Sequence, residues 1–286
     1  MPFESSLLLP LKRCNRPIDQ IMKTFMSLLT DFGLSDPFVA EMKAVIYSIC
    51  PDAEVIDITH EVERFDIRMG AFLLASAAPF FPAGSVHVAV VDPGVGSERR
   101  PIAVETNQAL FVGPDNGLLV PAAMREGILH VYALTNRSFR RDTVSSTFHG
   151  RDIFAPVGAH LACGTQPKEL GGEITDYVRL SFGEPKFDKR GMTCEVIYAD
   201  HFGNIVTNVP QQNMDRLNSN TKFVITTRGK RVRARLVKAY LDIDKKGLGI
   251  IAGSHGFLEI ASRENSASRM LKAKVGDTIR VAVSAP

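Results

Sequence analysis

The sequence contains no hydrophobic run long enough to cross a membrane. A spanning helix needs roughly 18 consecutive apolar residues, and no stretch of this 286-residue chain approaches that length. Residues 1–25 include a short apolar patch without a basic region before it, which is a poor match to a secretory signal peptide. We therefore expect neither a membrane anchor nor a cleaved leader, and we interpret residues 1–25 as an N-terminal extension.

The sequence also has little net charge. Lys and Arg number 34 against 31 Asp and Glu, and the basic residues are scattered along the chain. Residues 228–235 alternate basic and apolar side chains, which is typical of a strand with one solvated face. A nucleic-acid groove on that segment is the weaker interpretation, so we expect no nucleic-acid partner.

Cysteine is scarce, and its spacing suggests no pairing. Cys14, Cys50, Cys163 and Cys194 lie far apart, with no CxxC pair among them. Three of the four fall in apolar or helical contexts, which favours buried free thiols over a disulfide framework. Free thiols indicate a reducing compartment, so we expect a cytoplasmic protein.

Metal-binding patterns are missing as well. The histidines show no HExxH motif and no clustered spacing. Residues 57–61 bring two acids and a histidine together, but a loop at a strand end is the favoured interpretation. We expect no metal.

Hydrophobic periodicity divides the chain into two parts. In the first, apolar strands alternate with amphipathic helices, which predicts crossover units and a mostly parallel sheet. We expect Ser35 or Asp36 to cap the first helix. Residues 164–189 are rich in Gly, Pro and charge, as is typical of a linker. Beyond them, seven short strand-like segments predict a small β-barrel or sandwich.

The predicted fold class is therefore α/β, with an N-terminal mostly parallel α/β domain followed by a smaller C-terminal β-barrel or sandwich domain. We place the α/β domain at residues 26–175 and the β-rich domain at residues 190–286.

The most informative segment follows an apolar run at residues 85–91. Asp92 comes directly after that run, a Pro-Gly turn follows, and Arg99 and Arg100 come shortly afterwards. Ligands bind at the carboxyl ends of strands in α/β sheets. A carboxylate and a fixed cation at such an end indicate a site for a small polar substrate. A surface turn with solvated charges is the alternative from this segment alone.

Three further motifs accompany the Asp92 segment. Asp31 ends another apolar run in the sequence TDFG, His149 lies in FHGRD before a helical pattern, and Asn204 closes DHFGN between two strand-like runs. In this order the four motifs resemble the S-adenosyl-L-methionine (SAM) hydroxide adenosyltransferase family, whose relatives include fluorinating and chlorinating enzymes that act on the same substrate. The resemblance runs from about Met26 to the C-terminus.

This resemblance implies that Asp92, Arg99 and His149 handle the attacking water. The sulfonium substrate loses a neutral thioether, which needs no general acid. The reaction therefore requires an in-line nucleophile and a group that shares its proton. Arg keeps its charge at neutral pH, and His could accept the proton. Arg99 is chosen over Arg100 by motif position alone.

The resemblance also implies a set of substrate contacts. We expect Asp31 to accept hydrogen bonds from the ribose hydroxyls, Asp200 to contact the amino group of the methionine portion, and Asn204 to contact the adenine edge. Phe202 could pack on the purine ring. Ser254 would face the substrate carboxylate.

One position departs from the halogenating relatives. They carry an Arg after the serine that corresponds to Ser254, whereas this chain has His255. We therefore expect backbone N–H groups to bind more of the substrate carboxylate.

The function that the resemblance implies is hydrolysis of SAM to adenosine and L-methionine, by attack of water or hydroxide on the ribose 5′ carbon. SAM is the substrate, and no cofactor is expected. The resemblance also implies a homotrimer. Three of the assigned residues lie in one domain (Asp31, Asp92 and His149), and three lie in the second domain (Asp200, Asn204 and Ser254). A ligand that touches both sets must occupy a domain boundary.

Two other functions stay open from the sequence. The first is a SAM-dependent halogenase. Those relatives have a Tyr where this chain has Asp92, and a carboxylate about 4 Å from a halide would cost roughly 4 kcal/mol at an effective dielectric constant of about 20. The second is a non-catalytic sensor of SAM or adenosine, which would not need the three presumed catalytic residues.

Overall fold

The structure is a computed structural model that describes residues 24–217 and 222–284, so the predicted extension at 1–25 lies almost wholly outside the described residues. The N-terminal part contains six strands and four α-helices. In chain order they are β1 (Phe25–Thr30), α1 (Phe38–Ile49), β2 (Glu54–Thr59), α2 (Ile67–Ala77), β3 (Ser85–Val90), β4 (Pro101–Thr106), β5 (Ala109–Pro114), α3 (Val120–Glu126), β6 (Ile128–Ala133) and α4 (Ala155–Ala162).

The six strands form one sheet in the order β2-β1-β3-β5-β4-β6. The pairs β1–β2, β1–β3 and β3–β5 are parallel, whereas β4 runs antiparallel to β5 and β6. Helices α1 and α4 cover one face of the sheet, and α2 and α3 cover the other. Side chains alternate between these faces, with Val88 packed on the first and Ala89 on the second. Helices on both faces explain why every residue of β3 is buried.

The C-terminal part is a closed β-barrel with one added strand. Its elements are β7 (Lys186–Asp188), β8 (Gly191–Ala199), β9 (Ile205–Pro210), β10 (Lys222–Thr227), β11 (Lys230–Leu236), β12 (Leu248–Ala252), β13 (Phe257–Ala261), α5 (Ala267–Leu271) and β14 (Thr278–Val283). Pairing of β14 with β8 closes the ring of seven strands, and β7 extends from β8. The predicted α/β fold class with a β-rich second domain is confirmed, and the second domain is a barrel and not a sandwich.

The two domains pack through α2 and the barrel. Phe72 of α2 is 1% exposed, and its ring centroid lies 5.2 Å from that of Tyr198 and 6.2 Å from that of Phe257. Arg68 of α2 donates a hydrogen bond of 2.7 Å to Glu195 of β8. This aromatic contact buries one face of the barrel against the α/β domain.

The segment predicted as a linker is irregular but packed. Ile174, Tyr177 and Leu180 contact the core between the sheet and α2 and α3. Its backbone is also bound, since Val178 N donates to Asp115 Oδ1 at 2.8 Å. Asp115 is itself buried, so this polar segment is held in place against the α/β domain.

Two sequence-based predictions are wrong. The N-cap residue of α1 is Pro37 and no side chain caps the helix, so neither Ser35 nor Asp36 has the expected role. Cys50 and Cys163 form a disulfide with Cα atoms 5.8 Å apart, whereas Cys194 is free and buried as expected. The disulfide joins the ends of α1 and α4, whose cysteines are 113 residues apart in the sequence. Short-range spacing motifs such as CxxC cannot identify a pair so far apart. The cytoplasmic location inferred from free thiols therefore loses this support.

No helix within residues 24–217 and 222–284 has both the length and the apolar character that a transmembrane span requires.

Candidate active site

The candidate active site lies at the carboxyl ends of β1 and β3. These strands are parallel neighbours in which Thr30 is paired with Val90, so Asp31 and Asp92 follow at the same edge of the sheet. From β1 the chain continues to β2 on one side, and from β3 it continues towards β4 and β5 on the other. A reversal of this kind opens a crevice at the carboxyl edge of a sheet.

A cavity of about 320 Å³ occupies this edge. All of its lining residues come from the α/β domain: Asp31, Phe32, Asp36, Phe38, Arg64, Phe65, Val90, Asp92, Val95, Thr147, Phe148, His149 and Gly150. The cavity therefore combines carboxylates and a histidine with aromatic walls, as in sites for small polar ligands with an apolar portion.

Asp92 and Arg99 form a two-point ion pair beside the cavity. Arg99 Nε donates to Asp92 Oδ1 at 2.9 Å, and Arg99 Nη2 donates to Asp92 Oδ2. The side chains are only 5% and 11% exposed, respectively. The Arg99 guanidinium also lies 5.1 Å from the ring centroid of Phe154. This planar fork fixes the direction of the Asp92 carboxylate.

One nitrogen of Arg99 is left without a protein partner. Nη1 is buried and forms no hydrogen bond with any described residue. A buried guanidinium N–H without an acceptor is costly, and Arg99 itself is not among the residues that line the cavity.

His149 is bound to the same guanidinium. Arg99 Nη2 lies 2.8 Å from His149 Nδ1. Because Arg can only donate, Nδ1 must be the acceptor, and a neutral His149 then carries its proton on Nε2. Partial burial and the Arg99 charge lower the pKa of His149, against an opposing effect of Asp92. The neutral ring is therefore the dominant form at pH 7.

A π-helical turn, Gly150–Phe154, follows His149 and leads into α4. A Cβ on Gly150 would lie 3.2 Å from the Phe148 ring and 3.3 Å from the Phe32 ring, so glycine permits the close packing of these rings. Such turns are frequent at functional sites.

Asp152 holds this turn and was not assigned a role from the sequence. It is fully buried and accepts hydrogen bonds from Arg151 Nε at 2.7 Å and Ser145 N at 2.8 Å. Burial alone would raise the pKa of Asp152, but these bonds and the nearby Arg charges lower it overall. Asp152 therefore stays ionised and fixes the segment that carries His149. Asp152 belongs to the FHGRD motif. The motif alone does not show which of its residues hold the turn in place and which act at the site.

Asp31 contacts the opposite wall of the cavity. Its Oδ2 accepts a hydrogen bond of 2.9 Å from the backbone N–H of Phe65. Phe65 adopts φ +66°, a left-handed conformation that is unfavourable for a bulky residue, and its side chain is 68% exposed. The Asp31 contact stabilises this conformation and keeps the Phe65 ring at the cavity.

The two adjacent arginines diverge in the structure. Arg100 donates to Asp176 at 2.8 Å and to Asp115 at 2.8 Å, and these bonds raise the pKa of its guanidinium. Arg100 thus joins the connecting segment to the α/β domain. The structure brings Arg99, not Arg100, to Asp92 and His149.

The barrel residues form a second group at the β8–β9 turn. Asp200 Oδ1 accepts from Asn204 N at 2.8 Å, and Oδ2 accepts from Asn204 Nδ2 at 2.9 Å. Asn204 is buried, whereas Phe202 at the tip of the turn is 78% exposed. The turn therefore presents an aromatic ring and a carboxylate at its surface.

The β12–β13 turn leads into β13, which pairs with β9 and places Gly256 beside Gln211 at the far end of β9. Ser254 is exposed there, and Glu259 on β13 is buried. Burial first, and then the Asp200 charge, raise the pKa of Glu259, whereas Tyr240 and His255 lower it. Glu259 lies opposite Val206 of β9, two residues along the strand from Asn204. Sequence reasoning did not single out Glu259, which lies in an apolar strand.

The predicted site residues thus fall into two groups. Asp31, Asp92, Arg99 and His149 meet at the sheet edge. On the barrel, Asp200, Phe202 and Asn204 belong to the β8–β9 turn, whereas Ser254 lies on the separate β12–β13 turn. None of the barrel residues lines the sheet-edge cavity.

Residues 57–61 end β2 and enter a loop, as predicted. His60 Nδ1 lies 2.8 Å from Thr30 Oγ1, and Nε2 lies 3.1 Å from Asp57 Oδ1. Within the described part of the chain, no three His, Cys, Asp or Glu side chains are grouped as a metal site would require.

Comparison with known proteins identifies the family of the chain. The family model for the SAM hydroxide adenosyltransferase N-terminal domain matches residues 26–171, and the model for the C-terminal domain matches residues 194–280. A protein from Salinispora tropica named (R)-S-adenosyl-L-methionine hydrolase is 40% identical over 260 residues, covering 90% of this chain and 97% of that protein. A fluorinase from Nocardia brasiliensis is 25% identical, covering 91% of this chain and 97% of that enzyme.

Among solved structures, an uncharacterized conserved protein from Thermotoga maritima superposes with a TM-score of 0.85 at 39% identity, covering 90% of this chain and all of that one. The resemblance seen in the four motifs is thereby confirmed, and the chain belongs to the SAM hydroxide adenosyltransferase family.

Proposed function

We propose that this protein hydrolyses SAM to adenosine and L-methionine. The water oxygen forms a bond to the ribose 5′ carbon, the carbon–sulfur bond breaks with its electron pair passing to sulfur, and one water proton is released. The name of the Salinispora tropica relative specifies the (R) epimer at sulfur. Both sulfonium epimers are therefore candidate substrates.

The observation that carries this proposal is the arrangement of Asp92, Arg99 and His149. Both Asp92 oxygens are oriented by one guanidinium, whose Nη1 has no partner among the described residues. Asp92 lines the cavity, so a water there can donate to a carboxylate whose direction Arg99 fixes. A positioned carboxylate of this kind can take the water proton as attack proceeds.

Within this proposal His149 orients Arg99. Its Nδ1 lone pair is already used by Arg99 Nη2, so His149 could accept the water proton only after that bond breaks. We therefore assign proton acceptance to Asp92 and propose that His149 locks the guanidinium. This narrows the role that the sequence suggested for His149.

The ion pair also changes the argument against halide chemistry. Arg99 offsets the Asp92 charge. The repulsion between Asp92 and a bound halide is therefore smaller than the roughly 4 kcal/mol expected for a lone carboxylate. Asp92 still supplies an acceptor where a halide would need a donor. Water, which donates and accepts, matches the pair better than chloride does.

We further propose that each complete site lies between two copies of the chain, in a homotrimer. Large apolar side chains are exposed around both half-sites, with Leu34 68% and Phe65 68% exposed near the cavity and Phe202 78% and Leu241 73% exposed on the barrel. Exposed apolar groups of this size often mark interfaces. A neighbouring barrel placed over the cavity would bring both sets of ligand residues to one substrate.

The test is product analysis after incubation with each SAM epimer in ¹⁸O-labelled water containing chloride. We expect adenosine with ¹⁸O at the 5′ hydroxyl, together with unlabelled L-methionine. A 5′-chloro nucleoside would favour a halogenase, and unchanged SAM that stays bound would favour a sensor. Either result would overturn the proposal.

A further inference from the structure

We propose that Glu259 is a second anionic contact for the ammonium group of the methionine portion, beside Asp200, and that it selects substrates that carry this ammonium. The inference rests on the proposed function, because it assumes that the barrel turns bind the amino-acid end of the substrate.

The first observation is that Glu259 is buried without full compensation. It is 5% exposed, and its Oε2 accepts a hydrogen bond of 3.1 Å from the Tyr240 hydroxyl. Its Oε1 accepts no hydrogen bond from the described residues, and no Lys or Arg among them forms an ion pair with it. A buried carboxylate is normally paired with a cation. Because no described Lys or Arg pairs with Glu259, its Oε1 is available to a cationic ligand.

The second observation is the position of that carboxylate. A Cβ on Gly253 would overlap Glu259 Oε1, so the carboxylate lies directly against the backbone that precedes Ser254. Glycine at this position is what permits the approach. The free oxygen is therefore at the turn that we assign to the substrate carboxylate.

The third observation is the charge around Glu259. Glu259 lies opposite Val206 of β9, two residues from Asn204, whose side chain is hydrogen-bonded to Asp200. Burial, then Glu259 and Asp200, raise the pKa of Tyr240 to about 12. Both Asp200 oxygens already accept from Asn204. Two carboxylates thus face one region, with His255 as the nearby basic side chain. An ammonium group between them would relieve the repulsion and use the free Oε1.

A purely structural role is the competing explanation. Glu259 could serve only to hold Tyr240 and the short turn Tyr240–Asp242 that follows β11. In that case removal of the Tyr240 hydroxyl should have the same effect as removal of the Glu259 charge.

The experiment measures the Kd of full-length protein for three ligands by titration calorimetry. They are SAM, decarboxylated SAM, which keeps the ammonium, and the desamino analogue of SAM, which lacks it. In Glu259→Gln we expect the Kd for SAM and for decarboxylated SAM to rise roughly tenfold, the scale of one charge-assisted hydrogen bond. The Kd for the desamino analogue should stay within about twofold. An equal change for all three ligands, or no change, would overturn the proposal.

Tyr240→Phe is the matched control, since it removes the hydroxyl and keeps the Glu259 charge. It should change the three Kd values far less than Glu259→Gln does, and an equal selective loss would show a structural role.

Asp200→Asn gives a test that leaves Glu259 in place. If Glu259 shares the ammonium, this variant still binds SAM more tightly than the desamino analogue, whereas loss of that preference would contradict the proposal. Because these readouts are affinities, a protein that binds SAM selectively but does not hydrolyse it would overturn only the proposed function.

Discussion

Arg99 joins Asp92 to His149 through a single nitrogen, since Nη2 donates to Asp92 Oδ2 and lies 2.8 Å from His149 Nδ1. The histidine is therefore an acceptor towards a permanent cation. Its lowered pKa is consistent with this, because a protonated ring would face the guanidinium. The three residues form one unit in which each constrains the next.

His149→Asn should retain more activity than His149→Ala. An amide oxygen can take the place of Nδ1 as acceptor for Arg99, but it cannot accept a proton at neutral pH. We expect His149→Ala to lower kcat by roughly a hundredfold and His149→Asn to recover part of that loss. Steady-state kinetics of the two variants provides the test. Equal inactivity would indicate that His149 itself accepts the water proton.

Arg99→Lys and Arg100→Lys should differ although both conserve charge. Lysine cannot reproduce the two-point contact with Asp92 and the contact with His149. We expect kcat for Arg99→Lys to fall by a factor on the order of a hundred. Arg100→Lys is the matched control, because Arg100 contacts Asp115 and Asp176 outside the cavity. A larger loss of kcat in Arg100→Lys would reverse the assignment.

Mixed oligomers test whether the site is shared between chains. Asp92→Asn impairs the sheet-edge half and Asp200→Asn impairs the barrel half, so each variant alone should have little activity. If every site combines halves from two chains, a random equal mixture regains about one quarter of wild-type activity, because one in four sites receives two intact halves. Refolding the variants together and assaying the mixture measures this fraction. Activity no higher than the mean of the two variants would place each site within one chain.

His87 should make stability depend on pH. It is fully buried in β3, with Nδ1 2.7 Å from Ser27 Oγ, and burial lowers its pKa from 6.5 to about 4. The unfolded chain then binds the proton more readily than the folded one. The stabilisation is complete above pH 6.5 and is lost as pH falls from 6.5 towards 4.

The total effect is roughly 3 kcal/mol. Urea titrations at a series of pH values should show this loss of unfolding free energy. In His87→Asn, the unfolding free energy should depend less steeply on pH between pH 6.5 and pH 4. An unchanged slope in His87→Asn would assign the pH dependence to other groups.

Local sequence pattern predicted that Asp31 and Asp92 lie at one edge of the sheet, whereas Arg99 and His149 were assigned from the family resemblance. Apolar runs that end in Asp31 and Asp92 identify buried parallel strands, and parallel strands place their carboxyl ends together. The barrel strands were predicted for a similar reason, since each alternates inward and outward side chains between turn residues.

The remaining features depend on contacts between distant segments. Arg99 and Arg100 are adjacent in sequence, and only the fold shows that one meets His149 while the other meets Asp176. The short elements α3, β6 and β7 escaped prediction, since three to seven residues carry little periodicity. The Cys50–Cys163 pairing and the free oxygen of Glu259 likewise depend on tertiary packing.

The most direct test of the account is the Asp92→Asn variant, which keeps the volume of the side chain and removes its charge. We expect kcat to fall by a factor on the order of a hundred or more, while the Kd for SAM changes little, because other groups bind the substrate. Asp176→Asn, at an exposed acid that pairs with Arg100, is the matched control and should leave both values unchanged. A strongly weakened Kd with unchanged kcat in Asp92→Asn would show that Asp92 binds the substrate and does not handle the attacking water.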